Sequence, residues 1–138
     1  MEMADADFML QLKNDPETRR FSIVSQEEIK KEDHYKWLEE NLQYFQIIQS
    51  DNAVTQDGKG NFVCYSPIGA VRIQNNEVSI WIDRMFRGNG MASYVLEMVS
   101  EVGMTAKIVE GNLASMNCFI NAGFKPIKKN NNYYIFQK

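Results

Sequence analysis

The stretch Glu77-Val78-Ser79-Ile80-Trp81-Ile82, followed after four residues by Arg87-Gly88-Asn89-Gly90-Met91-Ala92, decides how this chain reads. The first six residues are rich in β-branched and aromatic types and predict a strand. Beyond the loop, Met91, Val95, Leu96, Val99 and Val102 recur at helical spacing, with Gly103 as the stop. A strand that runs through a glycine-rich loop into a helix favours an anion. Small residues let the backbone curl closely, and the first helical N–H groups, which have no partner within the helix, point together with the dipole behind them. Arg87 adds a full charge and a donor fork. The competing reading is a glycine-rich turn with no ligand.

Two other phosphate patterns fit less well. Gly88-Asn89-Gly90 begins a dinucleotide fingerprint and Glu110 stands at a suitable distance for a ribose, but Ser93 occupies the third glycine position. Alternating strand and helix units are also too few for that fold. No Gly-x-x-x-x-Gly-Lys-Ser/Thr occurs, which removes the P-loop.

Upstream of the loop, Asp7 is placed to cap a short helix carrying Phe8, Met9, Leu10 and Leu12, which Asn14-Asp15-Pro16-Glu17 punctuates or restarts. Ser25 with Glu28 has capping-box spacing, and Ile29, Trp37, Leu38 and Leu42 form the apolar stripe of an amphipathic helix over most of residues 30–41. Residues 44–49, 62–65 and 69–74 read as strands. Asp57-Gly58-Lys59-Gly60-Asn61 and Asn75-Asn76 are turns, the second a tight hairpin with positive φ. Which of the first two strands pairs with residues 69–74 is open. Downstream, residues 105–109 read as a buried strand, 115–122 as a helix ended by Gly123, and 124–127 with 133–136 as a hairpin about Asn130-Asn131-Asn132.

Composition narrows the function classes. With 138 residues, 44% hydrophobic and 24% charged, the chain is expected to form a single domain over residues 1–138 that needs no staples. A net charge of −3 argues against nucleic acid as a partner. Two cysteines, Cys64 and Cys118, and one histidine, His34, assemble neither a disulfide framework nor a metal cluster, so no metal is expected. No membrane span or leader is read, and the expected location is a reducing cytoplasm.

The loop resembles the pyrophosphate motif of the GNAT acetyltransferase superfamily, Gln/Arg-x-x-Gly-x-Gly/Ala, filled here by Arg87, Gly90 and Ala92. Asn112-Leu113-Ala114-Ser115, Phe119 and Gly123-Phe124 are similar to that family's second motif. The resemblance implies an α/β (α+β) fold: a central mixed, mostly antiparallel sheet flanked by helices, with a splayed strand pair, Val78 to Ile82 and Thr105 to Val109, that receives the pantetheine of acetyl-CoA. It implies cofactor contacts at Trp81, Ile82, Asp83, Arg87, Gly88, Asn89, Gly90, Met91, Ala92, Asn112, Ser115 and Phe119. Asn14-Asp15-Pro16, Arg19, Ser22, Ile29, the run Asp33-His34-Tyr35-Lys36-Trp37 and Ile68-Gly69-Ala70-Val71-Arg72 look like a branch that includes N-acetyltransferases of nucleotide-linked amino sugars, akin to ribosomal-protein N-terminal acetyltransferases.

Acetyl transfer to a small-molecule amine by direct attack needs a base for the ammonium proton and an acid for the thiolate. Glu110, Glu77 and His34 are the base candidates, with Glu110 favoured because it ends the strand beside the cleft, and each is weighed against a plain structural role. The family's acid is a tyrosine where this chain has Phe119, which leaves Ser115, Cys118, Tyr94, water or unassisted departure. Cys118 as a nucleophile ranks lowest. Arg19, His34, Trp37, Arg72 and Trp81 are the acceptor-pocket candidates, an arginine suiting a diphosphate and an aromatic ring a sugar or base. Transfer to a protein N-terminus or polyamine, and CoA binding without turnover, are the rival readings. The fold's first strand is expected to be short or missing, and the sheet edge it would leave bare would be covered by a second copy in a homodimer.

Overall fold

The Asn75-Asn76 turn has φ values of 52° and 63° and closes a two-residue hairpin between β4 (Pro67–Gln74) and β5 (Glu77–Ile82). Mirror-image turns of this kind match the twist of paired strands, and asparagine tolerates them. In this computed structural model residues 1–23, 26–49, 55–56, 62–63 and 67–138 are described, the two short middle runs as backbone only. Ser25, the turn at 57–61, Cys64 and Tyr65 lie outside them.

The hairpin seeds a six-stranded sheet of order β1-β4-β5-β6-β8-β7, with β1 at Phe45–Gln49, β6 at Thr105–Val109, β7 at Lys125–Lys129 and β8 at Tyr133–Gln137. All neighbours are antiparallel except β5 and β6. The open pairing question is answered by β1, which runs against β4 from Phe45↔Arg72 to Gln49↔Pro67. The run at 62–65 contributes only β3 (Phe62–Val63), paired with β2 (Thr55–Gln56) in a separate two-stranded sheet. In β4, residues 68 to 71 are buried consecutively, the mark of a strand covered on both faces.

One face carries α1 (Ala6–Asn14), α2 (Pro16–Arg20) and α3 (Lys31–Asn41), whose Met9, Leu12 and Leu38 close on Phe45 and Ala70. The other carries α4 (Met91–Val99) and α5 (Leu113–Asn121), whose Leu96 and Phe119 meet Val71, Val78, Ile108, Phe124 and Phe136. Burying each such large apolar side chain stabilises the fold by about 1.5–3 kcal/mol before entropy is counted. Before α1 the described chain has a short 3₁₀ turn at Met3–Asp5 and no strand, and the Met1 ammonium donates to Phe45 O on the outer edge of β1 at 3.4 Å.

Several boundaries differ from the sequence reading. Asp7 sits inside the first turn of α1, with Asp5 at the cap position. Glu28 precedes α3, which starts after Lys30, so the capping-box spacing does not open that helix. The α4 stripe stops at Val99: Ser100 turns extended, and Lys138 Nζ, 3.2 Å from Ser100 O, occupies a helix-end carbonyl. Val102 is therefore 89% exposed in the following turn and outside the core. The second helix starts earlier than read, at Leu113, because the Asn112 side chain accepts the Ser115 N–H at 3.3 Å and caps it.

Candidate functional site

Strands β5 and β6 pair at a single position, Glu77↔Thr105, beside a Thr105 N–H to Asn76 O bond of 2.9 Å. Beyond it they part. On its other side β5 pairs with β4 along its whole length, from Gln74↔Glu77 to Gly69↔Ile82. The β6-facing peptide groups of residues 78–82 thus have no ladder partner, although they lie in the middle of a sheet; Arg87 meets the Ile82 carbonyl, and the remaining polar main chain has to be met by water or a ligand. The opening lies toward the carboxyl ends of two parallel strands, where ligands of open sheets bind, and each strand leads there into a helix N-terminus.

The loop between β5 and α4 frames that opening. Asp83 donates its N–H to Ile68 O at 2.8 Å, and its carboxylate accepts the Met85 N–H at 3.0 Å, capping a 3₁₀ turn at Arg84–Phe86. Gly88 and Gly90 have φ of 83° and 79°, and a Cβ on either would meet nothing within 4 Å. Their necessity is conformational rather than steric. Asn89 Oδ1 accepts the Met91 N–H at 3.2 Å, and the first i−4 bond is Tyr94 N–H to Gly90 O, so the amides of Ala92 and Ser93 precede any intrahelical acceptor. Arg87 is less free than its sequence position suggests. Its Nε donates to Ile82 O at 2.8 Å, its Nη2 to Thr18 Oγ1 at 3.4 Å, and its Nη1 lies 3.8 Å from Asp15 Oδ1. One corner of the fork is fixed on the strand, and the outer nitrogens face the α1–α2 corner.

At the β6 end, Asn112 and Ser115 form the start of α5. Phe119 is placed in the core rather than along the opening: 3% exposed, its ring stands edge-on to Phe124 at 5.0 Å. A ring covered by protein on all sides has no face for a pantetheine arm. Phe119→Tyr is accordingly expected to bury a hydroxyl at a cost of about 1–3 kcal/mol, with no gain in thiol release. Urea denaturation and a thiol assay on the same sample check both. Cys118 is half-buried against the same core, and Tyr94 is 65% exposed on α4.

The three base candidates are dispersed. Glu110 follows β6 at the open end but is exposed and bonded to Lys129 Nζ at 2.9 Å. Glu77, 3.5 Å from Lys107 Nζ, sits at the closed end of β5, roughly 17 Å along the strand from Ile82. That placement removes it from the opening. His34 is 1% exposed on α3; its Nε2 is 3.0 Å from Ala6 O, and its Nδ1 is buried without a partner in the described structure. Burial holds its pKa below the usual histidine value against the pull of the Ala6 carbonyl, so the ring is neutral and Nδ1 offers a lone pair.

His34 lines a recess of about 240 Å³ with Lys13, Ile29, Asp33 and Trp37. Asn14 shapes its rim by bonding both ways to the Ile29 backbone, at 2.8 and 2.9 Å. Lys13 Nζ lies 3.8 Å above the Trp37 ring, and a ring series continues through Phe45 to Trp81 at centroid spacings of 5.5 and 5.9 Å. Arg72 stands beside this series, bonded to Gln74 Oε1, with its buried Nε unpartnered. Neither Lys13 nor Arg72 has a carboxylate within ion-pair distance among the described residues. Arg19, by contrast, donates from Nε to Asn14 O at 3.1 Å and serves the α1–α2 corner.

Burial, then the nearby Arg72 charge, lowers the Lys13 pKa from 10.5 to about 8. The unfolded chain then binds more protons between about pH 8 and 10.5, so this group makes stability rise with pH across that window. Lys13→Met is expected to stabilise the domain at pH 7 by about 1–2 kcal/mol, after discounting for residual solvent, and to flatten that rise. Urea midpoints at pH 7 and 9.5 for both proteins check it.

Sequence reasoning missed Lys13 and Asp15. Lys13 belongs to no motif, and Asp15 read as part of the punctuation Asn14-Asp15-Pro16-Glu17. Only the fold brings Asp15 to Arg84 and Arg87.

The family model described as "Acetyltransferase (GNAT) domain" matches residues 1–125. An uncharacterized protein of Methanocaldococcus jannaschii is 25% identical over 136 residues, covering 91% of this chain and 27% of that protein; the chain thus spans about a quarter of its relative's length. A solved domain from the same organism superposes with a TM-score of 0.77 at 20% identity, covering 100% of this chain and 94% of the other. yncA of Salmonella typhimurium, solved with its cofactor acetyl-CoA, gives 0.66 at 16% identity, covering 100% and 90%. Among the described residues no helix is long and apolar enough to cross a membrane, and no group of three metal-ligand side chains is assembled.

Proposed function

From the premise that this chain belongs to the acetyltransferase (GNAT) domain family, we propose that it transfers an acetyl group from acetyl-CoA to a primary amine bound beside β5. The observation that carries this reading is the run of unpaired main chain in β5 beyond Glu77↔Thr105, open at the end where α4 presents free amides. Those features fit a pantetheine amide chain and a diphosphate, as expected where yncA shares the fold and holds acetyl-CoA. The open main chain of residues 78–81, with the Ile82 N–H, would bond the amide chain, and the amides of Gly88, Gly90, Ala92 and Ser93 with Arg87 would hold the diphosphate. The cofactor supplies an activated acetyl group.

Within this arrangement the chain orients the amine and manages protons. Attack forms the amide bond as the thioester C–S bond breaks, and the amine's proton passes to a base. His34 Nδ1, uncharged and without a hydrogen-bond partner among the described residues, is the best supported of the three candidates. Ser115 at the start of α5 and the exposed Tyr94 are the side chains offered as acid to the thiolate, together with water.

For the acceptor we favour a nucleotide-linked amino sugar. Lys13 and Arg72 place two positive charges without acidic partners in the described structure beside the Trp37–Phe45–Trp81 series, which suits an anionic group attached to a flat or sugar-like body. A protein N-terminus or polyamine, being cationic, suits it less. A second copy covering the outer edge of β1 belongs to the same reading, and monomeric elution would count against it. The reaction is tested by thiol release from acetyl-CoA with a panel of amines. Steady release with a nucleotide-linked amino sugar above simple amines is the expected result. Tight CoA binding with no release from any amine would turn the reading toward a binding module.

A further inference from the structure

We propose that Asp15 is a positioning residue for the cofactor loop: held at the α1–α2 corner, it gathers Arg84 and Arg87 and keeps the Arg87 fork at the mouth of the β5–β6 opening. The inference rests on the reading of that opening as the acetyl-CoA site.

The geometry is specific. Asp15 Oδ1 accepts the Glu17 N–H at 2.9 Å and so caps α2, which fixes the carboxylate before any arginine reaches it. Its Oδ2 then lies 3.3 Å from Arg84 Nε, and its Oδ1 3.8 Å from Arg87 Nη1. Asp15 is 13% exposed, whereas Arg84 is 64% and Arg87 36% exposed. A sheltered anion thus holds two more exposed cations. Burial pushes the Asp15 pKa up, but the Glu17 amide and the Arg87 and Arg84 charges outweigh it and hold the carboxyl below its usual value, so it is ionised near neutrality.

One carboxylate between two guanidinium groups leaves surplus positive charge, which a diphosphate would meet. Without it, Arg84 and Arg87 would repel one another. Because Arg87 Nε is fixed on Ile82 O, the direction of its outer nitrogens depends on Asp15 and Thr18.

This assignment has a sign that separates it from simple electrostatics. Removing a negative charge beside a polyanion site tightens binding if charge alone matters. Removing a positioning group loosens it. For Asp15→Asn, which retains capping ability, we expect the KM for acetyl-CoA to rise about tenfold with kcat within about twofold and the melting temperature nearly unchanged. In an Arg87→Ala background the same change is expected to leave KM unchanged or lower it. An unchanged or lowered KM in the single variant, or an equal rise in both backgrounds, would overturn the assignment. If Asp15→Asn melts much earlier, Asp15→Ser, a second uncharged cap, is measured with the same two outcomes. A wild-type domain that binds no acetyl-CoA would instead sink the function proposed above, and this inference with it.

Discussion

Replacing Arg87 with alanine is expected to raise the dissociation constant for acetyl-CoA by about 10- to 100-fold, the range for losing charge-assisted hydrogen bonds to an anion. Thermal melts give the cleanest readout. At a ligand concentration of about 100 times Kd the wild-type domain gains about 2.7 kcal/mol, and a variant binding 100-fold more weakly gains about 0.4 kcal/mol at the same concentration. Arg87 also bonds Ile82 O at 2.8 Å, so the unliganded variant should itself melt slightly earlier. The ligand-induced shift, rather than the absolute melting point, is the quantity to compare. Arg87→Lys keeps the charge without the planar fork and should fall between the two. An undiminished shift in Arg87→Ala would remove this side chain from the site and leave the loop amides to act alone.

The second large effect belongs to Gly69, which no motif singled out for its backbone. A Cβ there would meet the carbonyl oxygen of Trp81 well inside van der Waals contact, with Ile82 Cδ1 at 3.0 Å and Ile48 Cδ1 at 3.3 Å. The first obstacle is backbone of the paired strand and cannot swing aside. Gly69→Ala is therefore expected to cost about 3 kcal/mol, the upper part of the range for overpacking a core, measured as a lowered urea midpoint. The consequence should reach the site. Gly69 pairs with Ile82 at the end of β5 nearest the loop, and pushing those strands apart displaces the main chain that frames the opening. Weakened acetyl-CoA binding by the folded fraction is the companion result. A variant with unchanged midpoint and unchanged binding would show that β4 can yield without moving β5.

The two effects differ in how legible they are. Arg87 lies in a local pattern whose physics, glycines with positive φ before a helix N-terminus, is written within six residues. Gly69 lies in an apolar run that reads as an ordinary strand, and its requirement comes from Trp81, a neighbour across the sheet. The Asn75-Asn76 hairpin and the closing hairpin at 130–132 were likewise legible because each depends on residues adjacent in sequence, whereas the Asn112 cap was not read and the helix start was placed two residues late. The early end of α4 was not, since Lys138 reaches back to Ser100 from the far end of the chain.

Phe119 shows the limit most plainly. As a member of a family motif it was expected at the cofactor, in the place of a proton donor. Its ring is directed into the core against Phe124, a fact set by how α5 packs on the sheet. The base candidates divide in the same way: the sequence put Glu110 first because it ends the strand beside the cleft, and the fold ties Glu110 to Lys129, sends Glu77 to the closed end, and leaves His34 Nδ1 unpartnered among the described residues.

By itself, then, the sequence determined the strand–loop–helix order that begins at Glu77, the Asn75-Asn76 and 130–132 hairpin turns, the restart at Asp15-Pro16, and through the two motifs the family. These follow from short-range backbone rules and residue spacing. The tertiary structure alone decided that β5 and β6 part after one pair, that Asp15 holds Arg84 and Arg87, and that Lys13 and Arg72 come together with no carboxylate at ion-pair distance among the described residues. Each of those facts joins segments dozens of residues apart, and only the packing of two helical layers on one sheet brings them within reach of one another.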